Sequence, residues 1–243
     1  MGNNYHYRPV GDRALLIEVG SEISPDINRR VHRLNSSIAA AGIRGITETV
    51  PTYCSLLVHY DPLLIRYDAL RQALEQLSVC EDGTAQISAR VIEIPICYGG
   101  DFGPDLNYVA QYHKMTPQEV ISIHSGCDYL IYMLGFIAGY PYLGGIDKRI
   151  ATPRLQVPRT RIEGGSVGIG GDQIGIYPLP SPGGFQLIGR TPLRLFSADS
   201  SQVSLLSAGD YIRFLPIRQE EFAAIRRDVE AGSYQCQMWQ KEA

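Results

Sequence analysis

The chain has 243 residues, 44% hydrophobic and 19% charged, the balance of a soluble globular protein rather than a disordered one. A net charge of −3 argues against broad nucleic-acid binding. No apolar run approaches the roughly 20 residues that cross a bilayer, and MGNNYHYRPVGDR lacks the apolar core of a signal peptide, so a cytoplasmic, non-membrane protein is expected.

From Tyr7 to Val19 a loose alternation ending in ALLIEV predicts a first strand. Ser24 can cap a helix with Pro25 at its first position; Ile27, Val31, Leu34 and Ile38 recur at helical spacing, and Gly42 is placed to end it. Residues 46 to 60 give TETV, a break at Pro51 and YCSLLVHY, a second strand bounded by the Asp61-Pro62 turn, and Tyr67, Leu70, Leu74 and Leu77 predict a second amphipathic helix. The first eighty residues thus read strand, helix, strand, helix. The polar EDGTAQ segment, 81 to 86, places a domain boundary between residues 85 and 86.

The second domain, 86–243, opens with the strand VIEIPICYG. Asp105 is a candidate cap for a short helix to Tyr112, and Thr116-Pro117-Gln118-Glu119 has the spacing of a capping box for a helix ending near His124. DYLIYMLGF predicts a strand. Short strands between turns follow, as in a barrel: RIEGGSVGIG, QIGIYP, FQLIGR, RLFS and YIRFLPI. EEFAAIRRDVEAG predicts a closing helix before a polar tail.

The stretch from Gly135 to Phe196 holds thirteen of the 25 glycines and seven of the 15 prolines, yet large apolar residues stand between them, so it is a built surface and no linker. Between Asp147 and Arg194 seven basic residues face three acidic ones, giving +4 there and −7 elsewhere. Six of the seven are arginines (Arg149, Arg154, Arg159, Arg161, Arg190, Arg194), whose planar forks suit a carboxylate or phosphate, or else decorate the outer face of a sheet. Gln173, Tyr177, Ser181 and Arg190 are spaced through the turns and together can line a pocket.

Several motifs fail on context. Lys114, Lys148 and Lys241 are the only lysines, and none sits in a GxxxxGK loop. Gly164-Gly165-Ser166-Val167-Gly168 matches GxSxG, but strand and turn follow it where a nucleophile elbow needs a helix, so Ser166 reads as structural. Five widely spaced cysteines without a CxxC pair suggest neither a disulfide framework nor a zinc knuckle, and His6, His32, His59 and His113 have no metal-ligand spacing, so no metal is expected. His124 ends a helix just ahead of the glycine-rich stretch, where its imidazole can reach that surface or simply complement the helix dipole.

In this order, GFIAGYPYLGGID, ATPR, VPRTR, GGSVGIGG, QIGIYP and SPGGFQLIGRTPLRLF resemble the family of 5-oxoprolinase B subunits, also known through the histidine-kinase inhibitor KipI and as allophanate hydrolase subunit 1. The likeness spans about residues 5 to 217 and includes Gly-Asp-Arg-Ala-Leu-Leu near the start and VISIHSGCDYLIYMLGF around His124. It departs at Ala138 and Tyr140, where the family commonly has proline and phenylalanine, at Glu163-Gly164-Gly165 in place of PAG, and at Phe185 in place of tryptophan.

The resemblance implies an α+β protein: a small α/β N-terminal domain and a cyclophilin-like β-barrel C-terminal domain without prolyl isomerase activity. It implies cleavage of 5-oxoproline to glutamate at the expense of ATP, in a complex with subunits A and C, by a chain inactive alone. The rival implications are inhibition of a sensor histidine kinase by docking, or an allophanate hydrolase subunit. Within the first reading His124 is expected in proton transfer or orientation, Gln173 and Tyr177 on the lactam or carboxylate, and Arg190 on the anion.

Overall fold

The computed structural model describes residues 5–77, 89–198 and 203–241. The chain divides into two compact units, Met1–Ile87 and Ser88–Ala243. The EDGTAQ segment and the expected boundary at 85/86 lie outside the described residues.

The first unit contains β1 (His6–Val10), β2 (Ala14–Glu18), α1 (Pro25–Ala41), β3 (Ile46–Pro51), β4 (Ser55–Tyr60) and α2 (Tyr67–Glu75). Its strands form one antiparallel sheet in the order β1-β2-β4-β3. Leu15 and Ile17 of β2 and Leu56 and Val58 of β4 alternate onto one face and pack with Val31, Leu34, Ile38, Leu70 and Leu74 of the two helices. Two expected strands are therefore hairpins. Gly11, at φ 61°, turns the first, a break hidden because the alternation resumes after it. The second turns at residues 52–54, where buried Asn28 of α1 donates to the Thr52 and Tyr53 carbonyls at 3.1 and 3.4 Å. Gly42 ends α1 in the left-handed conformation, whereas the Ser24 side chain makes no capping bond.

The second unit contains β5 (Arg90–Tyr98), α3 (Leu106–Tyr112), α4 (Pro117–Ser125), β6 (Asp128–Leu134), β7 (Pro141–Gly144), β8 (Arg159–Ile162), β9 (Ser166–Gly170), β10 (Gln173–Ile176), β11 (Ser181–Gly183), β12 (Gln186–Arg190), β13 (Tyr211–Ile217), α5 (Gln219–Glu230) and β14 (Met238–Gln240). Seven strands close a mixed barrel in the order β12-β9-β10-β7-β6-β13-β5, and β5 returns to β12 through Tyr98 and Cys97. Only β5 and β13 run parallel within that ring. The α+β architecture with a barrel is as expected. Its core is filled by Ile92, Ile94 and Ile96 of β5, Val167 and Ile169 of β9, Ile188 of β12, Ile212 and Phe214 of β13, and the helix residues Val109 and Val120.

The capping box at Thr116 and Glu119 forms in full, because all its partners lie within one turn. Asp105 precedes α3 but does not cap it: its carboxylate accepts from the Leu187 amide at 2.6 Å and from Arg159 at 2.7 Å, tying the loop to β12. RLFS is not a strand, since Phe196 makes only an isolated bridge to Ser204. The polar tail does contain one, β14, which pairs with β5 while Arg213 lies 5.2 Å from the centre of the Trp239 ring.

Candidate functional site

Successive residues of a strand point to opposite faces. In β9, Val167 and Ile169 point into the barrel core, which leaves Gly168 and Gly170 on the outer face. There the glycines are seats for aromatic rings. A Cβ on Gly170 would stand 2.5 Å from the Phe185 ring, one on Gly175 2.0 Å from the Tyr140 hydroxyl, and one on Gly183 2.3 Å from the Tyr177 hydroxyl. Tyr140, Ile162, Tyr177, Phe185 and Leu187 thus form a second small core on the outside of the barrel, with Ile137 and Tyr142 packed on it. Tyr140 and Tyr177 meet edge to face at 5.3 Å, and Tyr140 and Tyr142 lie 5.2 Å apart.

This layer lines a cavity of about 350 Å³, walled by Phe136, Tyr140, Tyr142, Pro158, Tyr177 and Phe185. Arg154 lies at the same cavity; its Cζ sits 4.9 Å above the Phe185 ring, and Nη2 donates to Gln173 Oε1 at 2.7 Å. Phe136, at φ 66°, is held in a backbone region that costs a non-glycine residue energy, and its ring stays exposed beside Tyr140. Burial raises the Tyr177 phenol above its ordinary pKa, so it remains a neutral group. A cavity of this size with aromatic walls and one guanidinium suits a small ring bearing a carboxylate.

The four expected site residues do not converge. Tyr177 lines the aromatic cavity and Gln173 joins it through Arg154. Arg190 instead lines a different cavity, of about 240 Å³, between the end of β12 and α5. His124 lines neither of these. It is 0% exposed, with Phe214 stacked on its ring at 4.5 Å and Tyr98 Oη 2.7 Å from Nδ1, while Nε2 has no hydrogen-bond partner among the described residues. Its helix-end position was legible; Phe214, ninety residues downstream, buries it. Ser166 lies within a strand, as its context suggested. Arg154 is the residue sequence reasoning did not single out: it was one arginine among six, and only the fold brings it to Phe185 and Gln173.

Burial depresses the His124 pKa from 6.5 to about 3. An unfolded chain takes up this proton below pH 6.5 while the native ring refuses it until about 3, so the contribution to stability is complete above pH 6.5 and is lost as the pH falls. The His124 ring-proton NMR signals are expected to stay still between pH 8 and pH 4, the range in which an ordinary histidine titrates. Movement with a midpoint near 6.5 would place the ring in contact with solvent.

Among the described residues no cluster of histidine, cysteine, aspartate or glutamate could hold a metal ion, and no helix is long and apolar enough to cross a membrane. The carboxyltransferase domain, subdomain C and D, family matches residues 5–206. The 5-oxoprolinase B subunit of Bacillus subtilis is 40% identical over 92% of this chain and 98% of that protein. That of Haemophilus influenzae is 47% identical over 70% of this chain and 79% of that protein. Among solved structures, a conserved uncharacterized protein from Pyrococcus horikoshii superposes with a TM-score of 0.54 at 47% identity, over 89% of this chain and 100% of that one.

Proposed function

The chain belongs to the carboxyltransferase domain, subdomain C and D, family and within it to the B subunits of 5-oxoprolinase, and from that premise we propose that it is the B subunit of an ATP-dependent 5-oxoprolinase. In this reading it works in the cytoplasm with subunits A and C, opening 5-oxo-L-proline to L-glutamate. The observation that carries the reading is the Arg154–Gln173 pair beside the aromatic cavity. Arg154 holds the substrate carboxylate through a charge-assisted fork, Gln173 fixes the guanidinium, and the rings of Tyr140, Tyr142, Tyr177 and Phe185 take the apolar side of the lactam and exclude water.

A lactam is a stable amide with a poorly electrophilic carbonyl carbon. Phosphorylation of its oxygen, the chemistry ATP supplies to the complex, lets water add to that carbon; the ring C–N bond then breaks with the nitrogen taking a proton, and hydrolysis of the acyl phosphate so formed releases phosphate and the free carboxylate. The glycines of β9 and β10 do not offer a phosphate cradle, because Phe185 and Tyr140 occupy the space a loop of that kind leaves open. The lining of the aromatic cavity also contains no carboxylate, histidine or cysteine to act as a base. Both features favour a division of labour in which this chain holds and orients the substrate and is inactive alone.

The test is 5-oxoproline-dependent ADP release by the reconstituted complex, with each component omitted in turn. Release is expected to vanish when this chain is left out and to be absent for this chain alone. Undiminished release without it would overturn the reading.

A further inference from the structure

The cavity that takes Arg190 is independent of the aromatic one. It is lined by Arg190, Arg194 and Arg226 together with Glu163, Glu230 and Gly165. Each carboxylate is paired with one arginine: Glu163 accepts from Arg161 at 2.8 Å, and Glu230 from Arg226, which lines the same cavity, at 3.0 Å. Among the described residues neither Arg190 nor Arg194 has an ion-pair partner within 4.0 Å.

Arg190 is more than one basic residue on a surface. Arg190 and Ser166 are direct partners in the β12–β9 ladder, so their side chains leave the sheet on the same face. Ser166 is 0% exposed, and both its hydroxyl and the Arg190 Nε are buried without a hydrogen-bond partner. A buried donor left unmade is costly, a guanidinium N–H most of all, and Arg190, unlike Ser166, lines the cavity, so it is Arg190 that is poised for an acceptor from outside the chain. Gly165, at φ 84°, lets the backbone close on this spot: a Cβ there would stand 2.4 Å from the Thr191 carbonyl and 3.4 Å from Arg190 Cγ.

We propose that this cavity binds a phosphate-class dianion, anchored by Arg190 and clamped by Arg194, with Arg226 already paired to Glu230. The guanidinium forks of Arg190 and Arg194, neither of them in an ion pair, line one cavity of about 240 Å³ and match the several oxygens of a tetrahedral anion better than a single carboxylate. The dianion is inorganic phosphate or the terminal phosphoryl group of a nucleotide; the site stands whether or not the lactam reading is correct.

The test is calorimetric titration of the full chain at low salt with inorganic phosphate, repeated with ATP and with adenosine. Saturable phosphate binding is expected with a dissociation constant of about 1 mM or below. Arg190→Gln and Arg194→Gln should each weaken it about tenfold, while Arg149→Gln, whose arginine pairs with Asp147, should leave it unchanged. Arg194 is exposed, so its variant reports on binding even if Arg190→Gln unsettles β12. ATP binding more tightly than phosphate with the same arginine dependence identifies a nucleotide as the source; equal affinity identifies the free ion. No saturable phosphate binding, or binding that Arg194→Gln leaves intact, overturns the proposal.

Discussion

Replacing Arg154 with alanine in the assembled complex is expected to raise KM for 5-oxo-L-proline roughly tenfold to hundredfold, with a smaller change in kcat. A hydrogen bond to a charged group contributes about 1.5–3 kcal/mol, and about 1.4 kcal/mol is a factor of ten in affinity. The carboxylate is not the reacting group, so its loss of partner weakens ground state and transition state alike, which is the signature of a raised KM. Arg154→Lys keeps the charge but not the planar fork that spans Phe185 and Gln173, and should fall between wild type and alanine. Steady-state kinetics of the three proteins decide the matter. A KM unchanged in Arg154→Ala would remove the aromatic cavity as the substrate site without touching the family assignment.

Gly103→Ala is expected to be the most damaging small substitution in the barrel unit, costing more than about 3 kcal/mol and lowering Tm by about 10 °C. The added Cβ would stand 2.0 Å from the Ile188 carbonyl oxygen and 2.1 Å from its carbon, and these are backbone atoms that no rotamer change can move aside. Nor can the loop retreat. Gly99 donates to the Ile188 carbonyl at 3.1 Å, Asp105 donates to that of Leu187 at 2.9 Å, and the Asp105 carboxylate binds both Leu187 and Arg159. Gly100→Ala is the control: its φ of 52° strains an alanine, but nothing lies within 4 Å of the new methyl, so it should cost only about 1–2 kcal/mol. Thermal unfolding followed by near-UV circular dichroism separates the two; equal shifts would show that β12 yields to the loop.

What was legible in the sequence was whatever depends on near neighbours. The Thr116 capping box, the Gly42 helix stop and the short apolar run of β5 each involve residues within a turn or along one strand, so the physics that forms them is written locally. The hairpin at Gly11 and the short β14 were missed for the complementary reason. A turn that preserves alternation leaves no local mark, and a three-residue strand has too little pattern to show before β5 supplies its hydrogen bonds. The glycine-rich stretch was recognised as a surface with turns, but half of its meaning is steric: Gly175 is bare because Tyr140, thirty-five residues earlier, lies on it.

By itself, then, the sequence determined the two-part α+β organisation, the helix boundaries and, through ordered motifs from Gly135 to Phe196, the family. Only the tertiary structure decided which polar groups share a site. It sealed His124 under Phe214, brought Arg154 rather than Arg190 to the tyrosine layer, and left Arg190 facing a cavity of its own. The reason is that caps and alternation are set by contacts a few residues apart, whereas a site is set by barrel closure, which joins β5 to β12 across some ninety residues and rotates each strand's side chains to one face or the other.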